Sequence, residues 1–231
     1  MQDQPRDIAT NIARVAARIR AAETRFGREP GSVRLLAVSK TKPAEMARAA
    51  YAAGQRAFGE NYLRDAVEKI EALGALDGLE WHFIGPLQSN KTRPVAEHFH
   101  WLHTVDRLKI AQRLSAQRPA GAPALNLCIQ VNVSGEASKS GCSLDELPEL
   151  ARAIAGLPHL RLRGLMCIPA PHDDFAAQRA PFRTLREAFE RLNAEGVELD
   201  TLSMGMSNDL EAAIAEGSTM VRIGTAVFGA R

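Results

Sequence analysis

The chain is short of the features that would commit it to a special environment. It has three cysteines in 231 residues, Cys128, Cys142 and Cys167, an odd number with no Cys-x-x-Cys pair. That pattern excludes a disulfide scaffold and suits a reducing cytoplasm. No apolar run approaches the ~18 residues of a membrane span. The opening stretch, MQDQPRDIATNIARVAARIRAAETRFG, lacks the unbroken apolar core of a secretory signal, and Asp3, Asp7 and Glu23 count against a transit peptide. Neither sign of charge dominates: 29 Lys and Arg against 27 Asp and Glu leave +2, which makes no case for nucleic-acid or membrane attraction but permits a local basic pocket. What is present is a globular composition, 45% hydrophobic and 24% charged, on a chain long enough for a real core.

Residues 6–25 predict a helix, with Ile8, Ile12, Val15 and Ile19 on one apolar stripe. After it a rhythm sets in: a short β-rich run, a polar break, a helical stretch. The predicted strands are 33–39, 56–60, 80–85, 101–105, 125–133, 161–168, 199–205 and 220–229. Helical stretches are predicted near 43–53, 61–73, 90–97, 106–117, 143–155, 175–195 and 207–216. Alternation of this kind implies a parallel sheet with right-handed crossovers. No glycine-rich dinucleotide turn follows the first strand, which weakens an open nucleotide-binding sheet. Eight strands in a chain of this size favour a single closed (β/α)8 (TIM) barrel over 1–231, with the N-terminal helix (1–26) standing in for the eighth helix and no second domain.

Period two then sorts side chains. In 125–133, Leu125, Leu127, Ile129, Val131 and Val133 alternate with Asn126, Cys128, Gln130 and Asn132. In a barrel ringed by helices the apolar set faces outward, so the polar set faces in. By the same parity Lys40, sharing a face with Leu36 and Val38, points into the mouth at the C-terminal strand ends, where sites form in this architecture. A desolvated lysine there is an amine nucleophile toward an aldehyde, the alternative being a solvated strand-end lysine. Ser203, Gly205 and Ser207 follow the seventh strand, with Ser207 the expected cap of the next helix, and Gly224 and Thr225 follow the eighth. Loops after strands 7 and 8 are the usual phosphate cradle of such barrels. Arg222 takes the inward parity, opposite to Val221 and Ile223. A buried arginine needs an acceptor, either a pyridine nitrogen or a carboxylate such as Glu60.

The segments LLAVSKTKP, FGENYLRDAVEK, WHFIGPLQSNK, HTVDRLKIAQRL, QVNVSGEASKSG, RGLMCIP and LSMGMSNDLEAAIAEGSTMVRIGTAVFGAR span about 34–231. Together they resemble the pyridoxal phosphate homeostasis protein family. The resemblance implies a barrel like the N-terminal domain of alanine racemase (fold type III) with pyridoxal 5'-phosphate as cofactor. It places the cofactor on Lys40 as a Schiff base, its phosphate against Ser203, Ser207, Gly224 and Thr225, its pyridine nitrogen against Arg222, and Asn61 near the ring. An arginine at that nitrogen withholds the full positive charge that a carboxylate partner would maintain. A non-catalytic carrier that buffers and delivers the cofactor to client enzymes is therefore expected, cytoplasmic and monomeric.

Two other functions stay open: a racemase-like enzyme, for which Tyr51 and Tyr62 offer no convincing base, and a Schiff-base aldolase acting on a sugar phosphate. His98, His100 and His103 form an H-x-H-x-x-H cluster, but their places before and inside one strand argue against a metal site. Trp81 and Trp101 are expected to pack, and Cys128 and Cys167 to be buried, inert thiols. Lys139, in the loop 134–141, and Lys91 are expected to be solvated, with a transient part in cofactor transfer as the alternative.

Overall fold

The computed structural model describes residues 7–134 and 140–230. Lys139 lies outside the described residues. In chain order the elements are α1 (Ile8–Arg25), β1 (Arg34–Val38), α2 (Ala44–Ala52), β2 (Ala57–Glu60), α3 (Leu63–Leu73), β3 (Glu80–Phe83), a 3-10 turn (Ser89–Lys91), α4 (Thr92–His98) and β4 (Trp101–Val105). There follow α5 (Leu108–Gln117), β5 (Leu125–Gln130), α6 (Leu147–Ala155), β6 (Leu160–Met166), α7 (Phe175–Ala194), β7 (Thr201–Ser203), α8 (Leu210–Ala215), β8 (Met220–Ile223) and α9 (Thr225–Phe228). All eight strands are parallel, in the order β1 to β8, and β8 closes back on β1 through Arg34↔Met220 to Ala37↔Ile223. The fold is a single (β/α)8 barrel with no second domain among the described residues.

The alternation of side chains places the core. Ala37, Phe58, Leu102, Leu127, Ile129, Leu165, Leu202, Val221 and Ile223 belong to the large apolar layer between strands and helices. Facing inward are two small apolar clusters, Leu36, Val38, Ala57, Ile84 and Met220 in one and Trp101, Cys128 and Met166 in the other. Trp81 packs in the outer layer instead. The three cysteines are free thiols, all buried, and burial pushes each up to about 12.

Helix α1 takes the eighth helical position, packed against α2, α8 and α9. Asp7 caps it by accepting from the Ala9 N–H, and Val15, Ile19 and Ala22 bury its apolar stripe. Two polar residues on that buried side tie it down. Asn11 donates to the Val227 carbonyl at 3.0 Å, and Glu23 accepts from the Gly31 and Val33 amides at 3.0 and 2.8 Å, steering the chain into β1.

Two predicted boundaries need correction. The run 220–229 is not one strand: β8 ends at Ile223, and the Gly224 carbonyl accepts from the Val227 and Phe228 amides, closing the short α9 under α1. Ser207 does not cap α8. That position belongs to Asp209, whose carboxylate accepts from the Met206 N–H at 2.6 Å and folds 207–209 into a turn.

Candidate functional site

The expected residues come together on four strands that are neighbours around the barrel, β7, β8, β1 and β2, all at their C-terminal ends. Strand β1 ends at Val38, and Lys40 sits in the turn beyond it, half-buried. The Lys42 amide donates to the Ser39 carbonyl at 3.1 Å, closing a turn over Lys40 and Thr41. Thr41 has φ +61, a left-handed conformation that is rare for a β-branched residue. Such strain persists only where its surroundings over-determine it, and it concentrates at functional sites.

The surroundings here are explicit. Lys69, on α3 and only 4% exposed, donates to the Ser39 carbonyl at 2.8 Å and to Glu60 Oε1 at 2.5 Å. The Ser39 hydroxyl donates to the same carboxylate oxygen at 2.5 Å. Burial pushes the Glu60 carboxyl up from its ordinary value, with Lys69 and Ser39 pulling the other way. The turn that carries Lys40 thus rests on a buried ion pair. Glu60 is engaged with Lys69 and faces the helices, so the carboxylate alternative for Arg222 is not realised.

Arg222 faces inward as its parity requires and is 5% exposed. Nη1 donates to the Ser203 carbonyl at 2.6 Å and to the Ser203 hydroxyl at 2.9 Å, and Nη2 donates to the Cys167 carbonyl at 2.9 Å. Burial pulls its pKa down from the ordinary value. The resemblance groups Ser203 with the phosphate ligands, but its hydroxyl lies lower, inside the barrel, engaged with Arg222 and with His103 Nδ1 at 2.8 Å. Ser207 is half-buried in the loop after β7, and its carbonyl accepts from Arg18 Nη1 at 2.7 Å. Arg18 also forks onto Glu211 at 2.5 and 2.6 Å, pinning this loop to α1.

Gly224 and the exposed Thr225 open α9, where first-turn amides have no intrahelical partner. A Cβ at Gly224 would stand 3.2 Å from the Val38 carbonyl, so a bare glycine keeps this edge of the mouth close to β1. Asn61, just beyond β2, has a buried side-chain oxygen with no hydrogen-bond partner. Buried polar atoms are normally satisfied, so this orphan suits a bound group that brings a donor. A half-buried amine, an orphaned acceptor, an inward guanidinium, and hydroxyls beside free amides together fit an aldehyde-bearing aromatic ring with a phosphate.

Other residues lie elsewhere. Tyr51, on α2, donates its hydroxyl to the Asp77 carbonyl ahead of β3, at the opposite end of the barrel. Tyr62 precedes α3 in an extended conformation, 50% exposed. Lys91 is exposed in the 3-10 turn. The three histidines of the H-x-H-x-x-H cluster diverge: His98 ends α4, His100 Nδ1 accepts from the Trp81 N–H, and His103 is buried in the barrel. No group of three metal-ligating side chains occurs among the described residues. A cleft of about 470 Å³, lined by residues including Val133, Pro169, His172 and Pro181, contains none of the candidate residues.

The alanine racemase, N-terminal domain, family profile matches residues 10–231. The chain is 67% identical over 224 residues to the pyridoxal phosphate homeostasis protein of Pseudomonas aeruginosa, covering 97% of this chain and 96% of that one. The chain belongs to the pyridoxal phosphate homeostasis protein family. The family's member from Escherichia coli K12 is 60% identical, with 97% of each chain covered. Among solved structures, PipY of Synechococcus elongatus with pyridoxal phosphate bound superposes with a TM-score of 0.84 at 38% identity, covering 96% of this chain and all of PipY. Alanine racemase from Corynebacterium glutamicum shares the fold, with a TM-score of 0.71 at 19% identity. This chain covers 61% of that enzyme.

Parity along the strands pointed to Arg222, which is buried inside the barrel, and to Lys40, which lies two residues past β1 in a turn. It named Glu60 as an acceptor for Arg222 but missed the Glu60–Lys69 pair, because a buried ion pair in the outer layer breaks the apolar pattern. His82 and His103 carried a signal of their own: each sits at an inward position between two apolar residues or an apolar residue and a threonine, in WHF and LHT.

Proposed function

We propose that this chain is a non-catalytic carrier that buffers pyridoxal 5'-phosphate in the cytoplasm and delivers it to client enzymes, holding it as a Schiff base on Lys40. Pyridoxal phosphate is the cofactor, supported by the name the relatives carry and by the cofactor-bound PipY structure. The observation that carries the reading is the convergence of Lys40, Asn61, Arg222, Ser207, Gly224 and Thr225 on four adjacent strand ends.

When bound, the cofactor supplies an aldehyde that amines condense with and a ring that withdraws electrons. Lys40 Nζ would be the amine that holds the cofactor. Ser207 and Thr225 offer hydroxyls, and the start of α9 offers backbone amides, to the phosphate. Arg222 would offer an N–H to the pyridine nitrogen, and Asn61 would lie beside the ring. Arg222 is held as a donor by the Ser203 and Cys167 carbonyls and the Ser203 hydroxyl. A guanidinium stays charged in a protein and does not hand its proton to a pyridine, which disfavours the carbanion chemistry of an enzyme. The tyrosines support the same reading, since Tyr51 lies at the wrong end of the barrel and Tyr62 is half in solvent.

The test is the near-visible absorbance of the purified protein with added pyridoxal phosphate. A band that is bleached by borohydride and absent in Lys40→Ala is expected, together with no racemisation of amino acids by the loaded protein. Absence of the band in the unaltered protein would refute cofactor binding. Robust turnover would move the assignment to a racemase-like enzyme.

A further inference from the structure

A column of polar side chains runs through the barrel interior from floor to mouth. Glu80 opens β3 at the floor and is paired with Arg34 at 3.1 Å. His82 Nε2 lies 3.0 Å from Glu80 Oε1, within ion-pair distance, and this buried nitrogen makes no hydrogen bond. His82 Nδ1 lies 2.9 Å from His103 Nε2, and His103 Nδ1 lies 2.8 Å from the Ser203 hydroxyl. The Ser203 oxygen takes the N–H of Arg222 at 2.9 Å. Both imidazoles are fully buried. Trp101 stacks on His82 at 5.3 Å between ring centroids with planes 10° apart, and so holds its tilt.

The chemistry of the two ends leaves one direction for the hydrogens. The pairs with Arg34 and His82 hold the Glu80 carboxyl down to about 2, so it is a carboxylate and only accepts. The facing His82 Nε2 therefore carries a hydrogen. Burial pulls His82 down to about 4 and His103 well below the ordinary imidazole value, so both rings are neutral near pH 7. A neutral ring has one donor and one acceptor. His82 Nδ1 is then the acceptor, and His103 Nε2 carries the shared hydrogen. His103 Nδ1 is in turn an acceptor, and the Ser203 hydroxyl donates to it. That leaves the Ser203 lone pairs free for Arg222, which cannot accept. Donation runs one way, from the cation at the mouth to the anion at the floor.

We propose that His82, His103 and Ser203 form a one-way hydrogen-bond chain that orients Arg222 from the barrel floor, where the Glu80 carboxylate faces His82, with His82 and His103 acting as positioning residues for the pyridine-nitrogen end of the cofactor pocket. The part concerning the pocket rests on the pyridoxal phosphate reading; the direction of the chain does not. Hydrogen bonds in series inside a protein polarise one another. Without His103 the Ser203 hydroxyl is free to turn its hydrogen elsewhere, and Arg222 loses its fixed acceptor.

The first test needs no cofactor. Nitrogen-15 NMR of histidine-labelled protein at pH 7 is expected to show His82 and His103 both neutral, with the hydrogen on Nε2. A charged ring, or the hydrogen on Nδ1 of either, overturns the chain. With arginine labelling, the Arg222 guanidinium hydrogens are expected to exchange with solvent at least ~10-fold faster in His103→Gln and in Ser203→Ala. Unchanged exchange in both overturns the positioning role, and Ser203→Ala serves alone should His103→Gln not fold.

The loaded protein adds a second readout. Each single variant is expected to shift the near-visible band and weaken cofactor binding, with Ser203→Ala/His103→Gln no worse than either alone, the signature of a serial chain. Additive losses overturn the serial arrangement. If the unaltered protein forms no band but the tautomers and exchange hold, the cofactor reading has failed and the chain has not.

Discussion

At the scale of single residues the site depends on backbone approach as much as on side-chain chemistry. Asn61 is held against Gly85, where an added Cβ would meet the Asn61 carbonyl oxygen at 2.2 Å and its Cα at 2.9 Å. No rotamer relieves a clash with backbone, so one chain segment must move. Gly85→Ala is expected to destabilise the fold by about 1–3 kcal/mol, the usual cost of overpacking. It should also weaken pyridoxal phosphate binding by about tenfold or more by displacing Asn61, a loss worth ~1.4 kcal/mol. Urea unfolding and cofactor titration check the two effects. Gly74→Ala is the control: its Cβ would find nothing nearer than 3.5 Å, and its φ of −59° suits alanine. That replacement is expected to leave binding unchanged and to raise stability by up to ~1 kcal/mol. Sequence could flag Lys40 and Arg222 because strand parity is a local property. It could not flag Gly85, whose importance lies in a contact with the neighbouring strand's exit, nor the depth at which the Ser203 hydroxyl is engaged.

At the scale of elements, the Lys40 turn is a joint between β1, β2 and α3. Its strained Thr41 is held by hydrogen bonds at both ends of a buried ion pair: Lys69 grips the Ser39 carbonyl, and Glu60 takes the Ser39 hydroxyl. Removing one partner of a buried pair leaves a charge uncompensated, at a typical cost of 3–5 kcal/mol. Lys69→Met is therefore expected to lower stability by about that much. Neutralising both, in Glu60→Gln/Lys69→Met, is expected to recover most of it. Lys40 should not recover its placement in the double variant, because the Ser39 carbonyl keeps the Lys42 amide but still lacks the Lys69 ammonium that ties it to α3. The double variant is thus expected to approach normal stability yet capture cofactor more slowly. Unfolding curves set beside the rate of band formation separate the two. If stability and capture recover together, the ion pair supports the fold and not the turn. Element order and type were legible from the strand-helix rhythm. The boundaries that were not, at β8 and before α8, are places where a specific side-chain hydrogen bond shapes the chain: a long-range one from Asn11 on α1 to the Val227 carbonyl, and a local one from the Met206 amide to Asp209.

At the scale of the whole molecule, the barrel encloses two neutral imidazoles, and that makes its stability depend on pH in a definable window. His82 sits at about 4 in the folded state against 6.5 in a free side chain, and His103 is lowered in the same direction. Between these values the unfolded chain binds more protons than the folded one, so stability falls as pH falls from 6.5 toward 4. Each such proton contributes a slope of about 1.4 kcal/mol per pH unit. Across its window His82 alone accounts for about 3 kcal/mol. Glu80, held down to about 2 from 4.5, extends the loss of stability below pH 4.5. Glu60 and Asp209 oppose it, since burial raises both carboxyls and lets the folded state take up protons early. The half-exposed His100 shifts in the same direction as the buried pair. The absolute profile is therefore a sum of opposed contributions, and the decisive quantity is a difference between two proteins. His82→Gln/His103→Gln removes two titrations and leaves Glu60, Asp209 and His100 in place. Its stability, measured by urea unfolding from pH 7 to pH 4, is expected to fall less steeply than that of the unaltered protein by one to two protons' worth of slope. The comparison survives a general loss of stability in the variant, because only the slope is read. Equal slopes would mean that the imidazoles are already charged or hydrated in the folded barrel, and the dry, one-way column through its centre would not exist.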